Sequence, residues 1–315
     1  MFIWKETIKM NIERYETMKS EIANVAAMQK KQNSEMEVKG KRIVLPLNGR
    51  NIEAILYKGG QEDSPLVFAM FGGGFIMGGC ALDNEMWNDL SKRFKWNILS
   101  IGYRTAPENI FPAACDDAYD AMCYFRLHQK EYGIKTEIYY TYGASAGGNL
   151  ATVTTMRDAK NDKCISKQFL FYPYLDLLTD PQKKGHPDDE LYSYYLFQKS
   201  YVPNSIIRNN PYASPIEADR ETLALMPETI IVTAENDTLR HEDEIYRDKL
   251  TQAGINVHYL MCEKVEHGFI EQNYSLPTLP KEIRDNLPGH SSELFEAGII
   301  QSAAKKTLEF IALYR

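Results

Sequence analysis

Short β-rich runs alternate with helix-prone segments along most of this 315-residue chain, and this alternation constrains the fold more than any other feature. Three runs near the start, RIVLPL, NIEAILY and PLVFAM, are separated by turn residues and predict the first strands of a sheet. Further strands then alternate with helices predicted at 84–94, 113–132, 148–159, 242–253 and 303–314. Because parallel neighbours in a sheet need a crossover between them, the alternation predicts an α/β fold with a mostly parallel sheet flanked by helices.

Two segments depart from this alternation. Residues 3–28 carry apolar side chains mostly three and four positions apart, which predicts an amphipathic helix. Such a helix packs against the core in one interpretation and forms part of a substrate-pocket wall in the other. Residues 176–218 are rich in Tyr, Pro, Asn and charge, and they contain a predicted helix, LYSYYLFQKSYV. We interpret this segment as an insertion over one end of the sheet.

Charge and cysteine content exclude several classes of protein. The chain has 43 acidic and 36 basic side chains and a net charge of −7, so a nucleic-acid partner would be repelled over most of the surface. The five cysteines form no C-x-x-C pair and are expected to be free thiols in the cytoplasm. Lys5, Glu6 and Lys9 interrupt the apolar stretch that a signal peptide needs, and no window is apolar enough to span a membrane. We therefore expect a protein that acts on a small, neutral molecule.

The run YYTYGASAGGNLA contains the pattern G-x-S-x-G between a β-rich run and a helix-prone run. This context is typical of a nucleophilic serine on a sharp strand-to-helix turn. Gly143 and Gly147 would let strand and helix approach closely, while Ser145 would project freely at the start of the helix. The pattern predicts Ser145 as the nucleophile of a hydrolase.

A run of three glycines follows the third predicted strand, in FGGGF at 71–75. Alone, such a run is more typical of a flexible turn, and it lacks the Lys-Ser/Thr ending of a phosphate-binding loop. Beside a nucleophilic serine it has a chemical purpose, because acyl transfer needs backbone N–H donors directed at the oxyanion of the tetrahedral intermediate. We predict Gly73, Gly74 and Ala146 as these donors.

The general base and its orienting acid are expected in loops that follow later strands, in the chain order serine, acid, histidine. Asp237 lies just past IIVTAEN and His267 just past NVHYLMCEKVE, so both positions fit. His267 would take the proton of Ser145, and Asp237 would fix the imidazole tautomer. Asp243 is the competing acid, but the pattern places it inside a helix. The other histidines fall in helices, strands or polar loops, and no spacing indicates a metal site.

Several longer motifs resemble those of the bacterial hormone-sensitive-lipase-like carboxylesterases, also called the α/β-hydrolase-3 group. In chain order, the motifs that carry this resemblance are FGGGFIMG, YRTAPENIFPAACDDAYDA, GASAGGNLA, NPYASPIEA, TAENDTLRHEDEIYRDKLTQAGI and EHGF. They are spread over most of the chain and occur in the family's order. The resemblance is therefore more specific than the serine pattern alone.

The resemblance implies one α/β-hydrolase domain over residues 1–315, with a sheet of about eight strands. It also implies a helical cap over the acyl pocket, contributed by residues 1–40 and 176–218, and hydrolysis of short- to medium-chain acyl esters without a cofactor. Two alternatives stay open: a non-catalytic ligand-binding protein on the same fold, and a peptidase or thioesterase on the same scaffold. The acyl-chain limit and the oligomeric state, including a homodimer, stay open as well.

Three features depart from the family pattern. Phe71 stands where the family has a histidine before the glycines, and Ala144 stands where many members have an aspartate before the nucleophile. Since the oxyanion donors are backbone N–H groups, we expect Phe71 to weaken or retune catalysis without abolishing it. Residues 272–302 are longer and richer in proline than the resemblance leads us to expect, and they suggest no function.

Overall fold

A computed structural model describes residues 2–275 and 297–315 of the chain. Most of the proline-rich segment 272–302, namely residues 276–296, lies outside the described residues. The predicted nucleophile, base, acid and oxyanion donors all lie within them.

An eight-stranded sheet forms the centre of the fold. Its strands are β1 (Lys41–Leu47), β2 (Arg50–Lys58), β3 (Leu66–Met70), β4 (Asn97–Ile101), β5 (Tyr139–Ala144), β6 (Ile165–Phe171), β7 (Glu228–Ala234) and β8 (Val257–Cys262). They lie in the order β1-β2-β4-β3-β5-β6-β7-β8. Among these strands only β2 runs antiparallel to its neighbours, β1 and β4. The predicted α/β class, with a mostly parallel sheet of eight strands, is confirmed.

Helices cover both faces of the sheet. They are α1 (Phe2–Glu35), α2 (Asn84–Phe94), α3 (Ala113–His128), α4 (Ala146–Ala159), α5 (Asp188–Tyr201), α6 (Arg220–Leu223), α7 (Arg240–Gln252), α8 (Phe269–Ser275) and α9 (Ala297–Tyr314). Short 3-10 turns lie at Gln129–Tyr132, Pro181–Lys184, Ser205–Asn209 and Pro215–Glu217. The predicted helix at 84–94 has the predicted bounds, and α4 and α7 begin two residues earlier than predicted.

Helix α1 extends to Glu35, past its predicted end at residue 28. Its last turns are held by the loop that follows β3. The Gly78 N–H donates to Gln29 Oε1 at 2.8 Å, and the Ala81 N–H donates to Asn33 Oδ1 at 2.7 Å. Hydrophobic periodicity registers only the apolar face of a helix, so these polar tertiary contacts could not enter the prediction.

The strands are apolar on both sides because the sheet is buried on both faces. Along β3, the alternate residues Leu66, Phe68 and Met70 belong to the core under α3, α4 and α7. Val67 and Ala69 between them belong to the core under α2, α8 and α9. All five side chains are fully buried. Packing on both faces makes β3 a rigid support for the loop at its carboxyl end.

The N-terminal helix packs on α5 of the inserted segment. The Ser193 hydroxyl donates to Met18 Sδ at 3.4 Å, and the Lys199 ammonium lies 4.8 Å from the centroid of the Tyr15 ring. Helix α5 also lies against the loop after β3, since a Cβ on Gly74 would come within 2.4 Å of the ring of Phe197. Two segments that are distant in sequence therefore lie together over this loop.

All five cysteines are free thiols, as predicted. Burial raises the pKa of Cys80 and of Cys115 to about 12, so neither is a reactive thiolate at neutral pH. Among the described helices, none combines the length and the apolar character that crossing a membrane requires.

Candidate active site

Ser145 lies on a strained turn between β5 and α4. Its backbone has φ of 55° and ψ of −123°, a conformation that residues with a side chain rarely adopt. The turn is held from two directions, because the Ser145 N–H donates to Phe171 O at 2.9 Å and the Tyr174 N–H donates to Ser145 O at 2.9 Å. The serine is half-buried and lines a cavity. The strand–turn–helix context that the G-x-S-x-G pattern requires is therefore present.

Close backbone packing explains the two glycines of this pattern. A Cβ on Gly143 would lie 2.1 Å from Gly147 O, and a Cβ on Gly147 would lie 2.1 Å from Met70 O. Neither position accepts a side chain. Met70 ends β3 and leads into the glycine loop, defined here as residues 71–79. Gly147 therefore brings the serine turn and the glycine loop into contact.

The glycine loop presents two unbonded backbone donors. Gly73 has φ of 120° and Gly74 has φ of 59°, values that favour glycine. Within residues 2–275 and 297–315, no protein acceptor takes the N–H of Gly73 or of Gly74. Ala146 begins α4, where the first N–H groups of a helix have no partner within it. These three groups are the predicted oxyanion donors.

Phe71 braces the glycine loop by packing. Its ring is 3% exposed and stacks on Tyr103, with 4.0 Å between centroids and 9° between planes. The Tyr103 hydroxyl donates to Phe71 O at 2.6 Å. The ring also covers Gly78, where a Cβ would come within 2.4 Å of it. An aromatic stack therefore occupies the place where the resembled family has a hydrogen-bonding histidine.

Asp237 and His267 meet beyond the carboxyl ends of β7 and β8. Asp237 Oδ2 lies 2.7 Å from His267 Nδ1, and Asp237 Oδ1 accepts the Leu239 N–H at 2.8 Å. The carboxylate is fully buried, whereas the imidazole is 35% exposed. His267 lines the same cavity as Ser145 and the glycine loop. The structure therefore brings the predicted nucleophile and base to one cavity, with the predicted acid bonded to the base.

This combination of features has known counterparts. A sequence model described as the alpha/beta hydrolase fold matches residues 67–271. An arylesterase of Saccharolobus solfataricus is 33% identical over 67% of this chain and 70% of its own length. The chain belongs to the hormone-sensitive-lipase-like carboxylesterase family. Membership of this family confirms the predicted enzyme class, a carboxylic ester hydrolase.

Solved structures of esterases are similar to this family member over nearly its whole length. The hyperthermophilic esterase from Pyrobaculum calidifontis is 27% identical, with a TM-score of 0.71 over 93% of this chain and 94% of its own. The carboxylesterase EstE1, cloned from a metagenomic library, has a TM-score of 0.72 at 24% identity and supports the fold alone. The similarity therefore includes segments outside the matched residues 67–271.

Burial and neighbouring carboxylates act in opposite directions on His267 of this carboxylesterase. Burial lowers the pKa of the imidazole, whereas the charge and the hydrogen bond of Asp237 raise it. The charges of Glu271 and Glu190 add to the rise. The net pKa of His267 lies above its ordinary value of 6.5. The ring is therefore a stronger base than a free imidazole.

Asp243, the competing acid, does not contact His267. It lies in α7 and is fully buried. Burial, together with the charge of Asp237, raises the pKa of Asp243 well above its ordinary value. Asp237 is the acid that faces the base.

The active-site cavity has a volume of about 620 Å³. Its aromatic lining consists of Phe71, Tyr172, Tyr174, Tyr194 and Phe197, and its acidic lining consists of Asp83, Glu190 and Glu271. Sequence reasoning missed all three acidic residues. Glu271 lies four residues after His267, but no local pattern marks either this position or residue 83. Among the described residues, no group of three or more His, Cys, Asp or Glu side chains is arranged to hold a metal ion.

Proposed function

We propose that this carboxylesterase hydrolyses short- to medium-chain acyl esters with Ser145 as nucleophile, His267 as general base and Asp237 as orienting acid. The observation that carries the proposal is the 2.7 Å contact between His267 Nδ1 and Asp237 Oδ2, in a cavity that Ser145 and the glycine loop also line. A protein that only binds its ligand has no chemical need for this pair.

In the proposed reaction, Ser145 Oγ attacks the ester carbonyl carbon while His267 Nε2 takes the hydroxyl proton. Because Nδ1 faces Asp237, Nε2 is the nitrogen that is free to face the serine. The N–H groups of the glycine loop and of the first residue of α4 stabilise the oxyanion. His267 then protonates the departing alcohol, and water repeats the steps to release the acid and restore Ser145.

Helix α1 and the segment 176–218 form the proposed cap over the acyl pocket. Tyr194 and Phe197 of α5 line the cavity, and Gln29 of α1 lines it too. Aromatic walls favour an apolar acyl chain. The closed side formed by α5 is therefore expected to limit the length of the acyl chain.

Hydrolysis of p-nitrophenyl esters of increasing acyl length tests the proposal. We expect turnover of esters with short and medium acyl chains. Activity should decrease steeply for esters whose long acyl chains α5 obstructs. A serine-directed fluorophosphonate probe should label the protein. If no ester is turned over and the probe does not react, the ligand-binding alternative takes its place. Preference for an amide or a thioester of the same acyl group would instead identify a peptidase or a thioesterase.

The raised pKa of His267 predicts the acidic side of the pH profile. The neutral imidazole is the active base, so kcat/KM is retained above the pKa and falls as the pH decreases through it. Because burial lowers this pKa less than Asp237 and its neighbours raise it, the acidic limb should lie above pH 6.5. In Asp237→Asn, the acidic limb of the pH profile should move to lower pH for the activity that remains. An acidic limb of the wild-type enzyme well below pH 6.5, the ordinary imidazole pKa, would contradict the assignment of His267 as the base paired with Asp237.

Phe71→Ala tests the aromatic brace of the glycine loop. The substitution removes the ring that stacks on Tyr103 and covers Gly78, so the loop loosens. We expect kcat to decrease by more than KM increases, with a loss of about 2 to 4 kcal/mol of transition-state stabilisation if one oxyanion donor is displaced. Steady-state kinetics separate the two parameters.

Phe125→Ala is the matched control for this prediction. Phe125 is a fully buried ring in α3 that does not line the cavity, so its removal also leaves a void in the core. The folded fraction of this variant should keep the wild-type kcat. An equal loss of kcat in both variants would assign the effect to general destabilisation. The proposal that the Phe71 ring holds the glycine loop in place would then be wrong.

A further inference from the structure

The charged side chains that line the active-site cavity are all acidic, apart from His267. Asp83, Glu190 and Glu271 line it, and no lysine or arginine is among the described residues that do so. Low-dielectric walls with charges of one sign focus the field inside a cavity. The cavity therefore attracts cations and repels anions.

Asp83 and Glu271 are two cavity carboxylates whose charges interact. Asp83 immediately precedes α2 and makes no capping hydrogen bond there. Glu271 accepts a hydrogen bond from the Tyr172 hydroxyl. Burial raises the pKa of Asp83 to about 7, and the charge of Glu271 contributes to this rise. Asp83 lies just before α2 and Glu271 lies on α8, and these two helices pack together beside the cavity that both residues line.

Two buried polar groups of β5 and α2 have no hydrogen-bond partner in the described structure. Tyr142 and Trp87 are each 1% exposed, and neither the Tyr142 hydroxyl nor the Trp87 Nε1–H is hydrogen-bonded. Their rings meet edge to face, with 5.0 Å between centroids. Burial raises the pKa of Tyr142 well above its ordinary value, and the charges of Glu271 and Asp83 add to the rise. Neither Tyr142 nor Trp87 is among the residues that line the cavity, so we assign them no part in ligand binding.

The acidic lining of the cavity has no lysine or arginine beside it among the described residues, so positive charge on a bound substrate would be compensated there. We call Asp83 and Glu271 the acidic corner. Asp83 and Glu271 line the same cavity as Ser145, so a single substrate can reach both the nucleophile and this corner. The aromatic ring of Tyr172 also lines the cavity, next to Glu271.

We propose that the acidic corner binds the ammonium group of a cationic ester, and that this carboxylesterase prefers such esters to neutral ones. The inference rests on the proposed esterase function and names its substrate class. The carboxylates compensate the positive charge of the ammonium group. The Tyr172 ring supplies the aromatic face on which ammonium groups are bound.

A divalent metal ion fits the acidic corner less well. Calcium and magnesium take roughly six or more oxygen ligands, whereas the corner offers two carboxylates. No larger cluster of ligating side chains is present in the described residues. An organic cation needs only negative charge and aromatic faces.

Two acetate esters of the same shape test the proposal: the acetate of choline, and neohexyl acetate, its uncharged carbon analogue. We expect kcat/KM to be at least about tenfold higher for the choline ester, the factor given by one contact of about 1.4 kcal/mol. This ratio should decrease toward one in Asp83→Asn and in Glu271→Gln. Glu85→Gln is the matched control, because it removes a negative charge from α2 at a residue that is 45% exposed, paired with Lys39 and outside the cavity lining. Its ratio should equal that of the wild type.

Inhibition supplies a second measurement that does not depend on turnover of the choline ester. Tetramethylammonium chloride should inhibit hydrolysis of p-nitrophenyl acetate competitively, and sodium chloride at the same concentration should not. A wild type that hydrolyses p-nitrophenyl acetate without preferring the choline ester would overturn the cationic-substrate proposal and leave the esterase proposal standing. A preference that survives in the double variant Asp83→Asn/Glu271→Gln would overturn it as well. Absence of activity on every ester would instead refute the proposed function.

Discussion

Ser145→Ala is expected to lower kcat for a short-chain ester at least about a thousandfold while leaving the fold intact. The substitution removes the Oγ that would form the acyl intermediate, so only substrate binding and the oxyanion hole remain. The turn itself should persist, because the backbone hydrogen bonds to Phe171 and Tyr174 hold it and do not involve the side chain. Steady-state kinetics on a p-nitrophenyl ester measure the loss, and thermal unfolding checks the fold.

Ser193→Ala is the matched control for this experiment. Ser193 lines the same cavity and its hydroxyl donates to Met18 Sδ, so the variant removes a second cavity hydroxyl that has no role in the proposed chemistry. Its kcat should stay close to that of the wild type. Retention of more than about a tenth of the wild-type kcat in Ser145→Ala would exclude this serine as the nucleophile. A fluorophosphonate label mapped to any other serine would do the same.

Asp237→Asn should lower kcat by about four orders of magnitude, because the amide no longer holds His267 in the tautomer that accepts the serine proton. The loop geometry should survive, since the asparagine Oδ1 can still accept the Leu239 N–H that Asp237 Oδ1 accepts at 2.8 Å. The measurement is kcat on a short-chain ester, with near-UV circular dichroism to compare the tertiary packing.

Asp243→Asn is the control that separates the two candidate acids. Asp243 is as deeply buried as the Asp237 side chain, but it makes no contact with the imidazole. We expect its removal to change kcat little. A large loss in Asp243→Asn together with a small loss in Asp237→Asn would show that the orienting acid had been misassigned.

The glycine loop shows how this chain accommodates its departure from the family pattern. Tyr103 contacts the loop through Phe71, Gln29 of α1 bonds it at Gly78, and Phe197 of α5 closes over Gly74. Three separate segments therefore restrain the backbone whose N–H groups are the proposed oxyanion donors. A packed aromatic ring can replace a hydrogen-bonding side chain here because the donors belong to the backbone.

Local signals in the sequence determined the fold class and the serine turn. Alternation of short apolar runs with amphipathic helices predicted the parallel sheet, because side-chain periodicity reflects which faces are buried. Gly143 and Gly147 marked the turn, because contacts of 2.1 Å from a Cβ leave no room for any other residue. Asp237 and His267 could be assigned because the carboxyl ends of parallel strands lie at one edge of the sheet.

Only the tertiary structure decided what surrounds these residues. The sequence, with its net charge of −7 and dispersed acidic residues, predicted a small neutral substrate and gave no reason to pair residue 83 with residue 271. They meet in one cavity because α2 and α8 pack together. Tertiary packing also decided the stacking of Tyr103 on Phe71 and the hydrogen bond between Gln29 and the glycine loop. Contacts of this kind join side chains that are far apart in the chain, and their distances depend on packing that periodicity and local spacing do not encode.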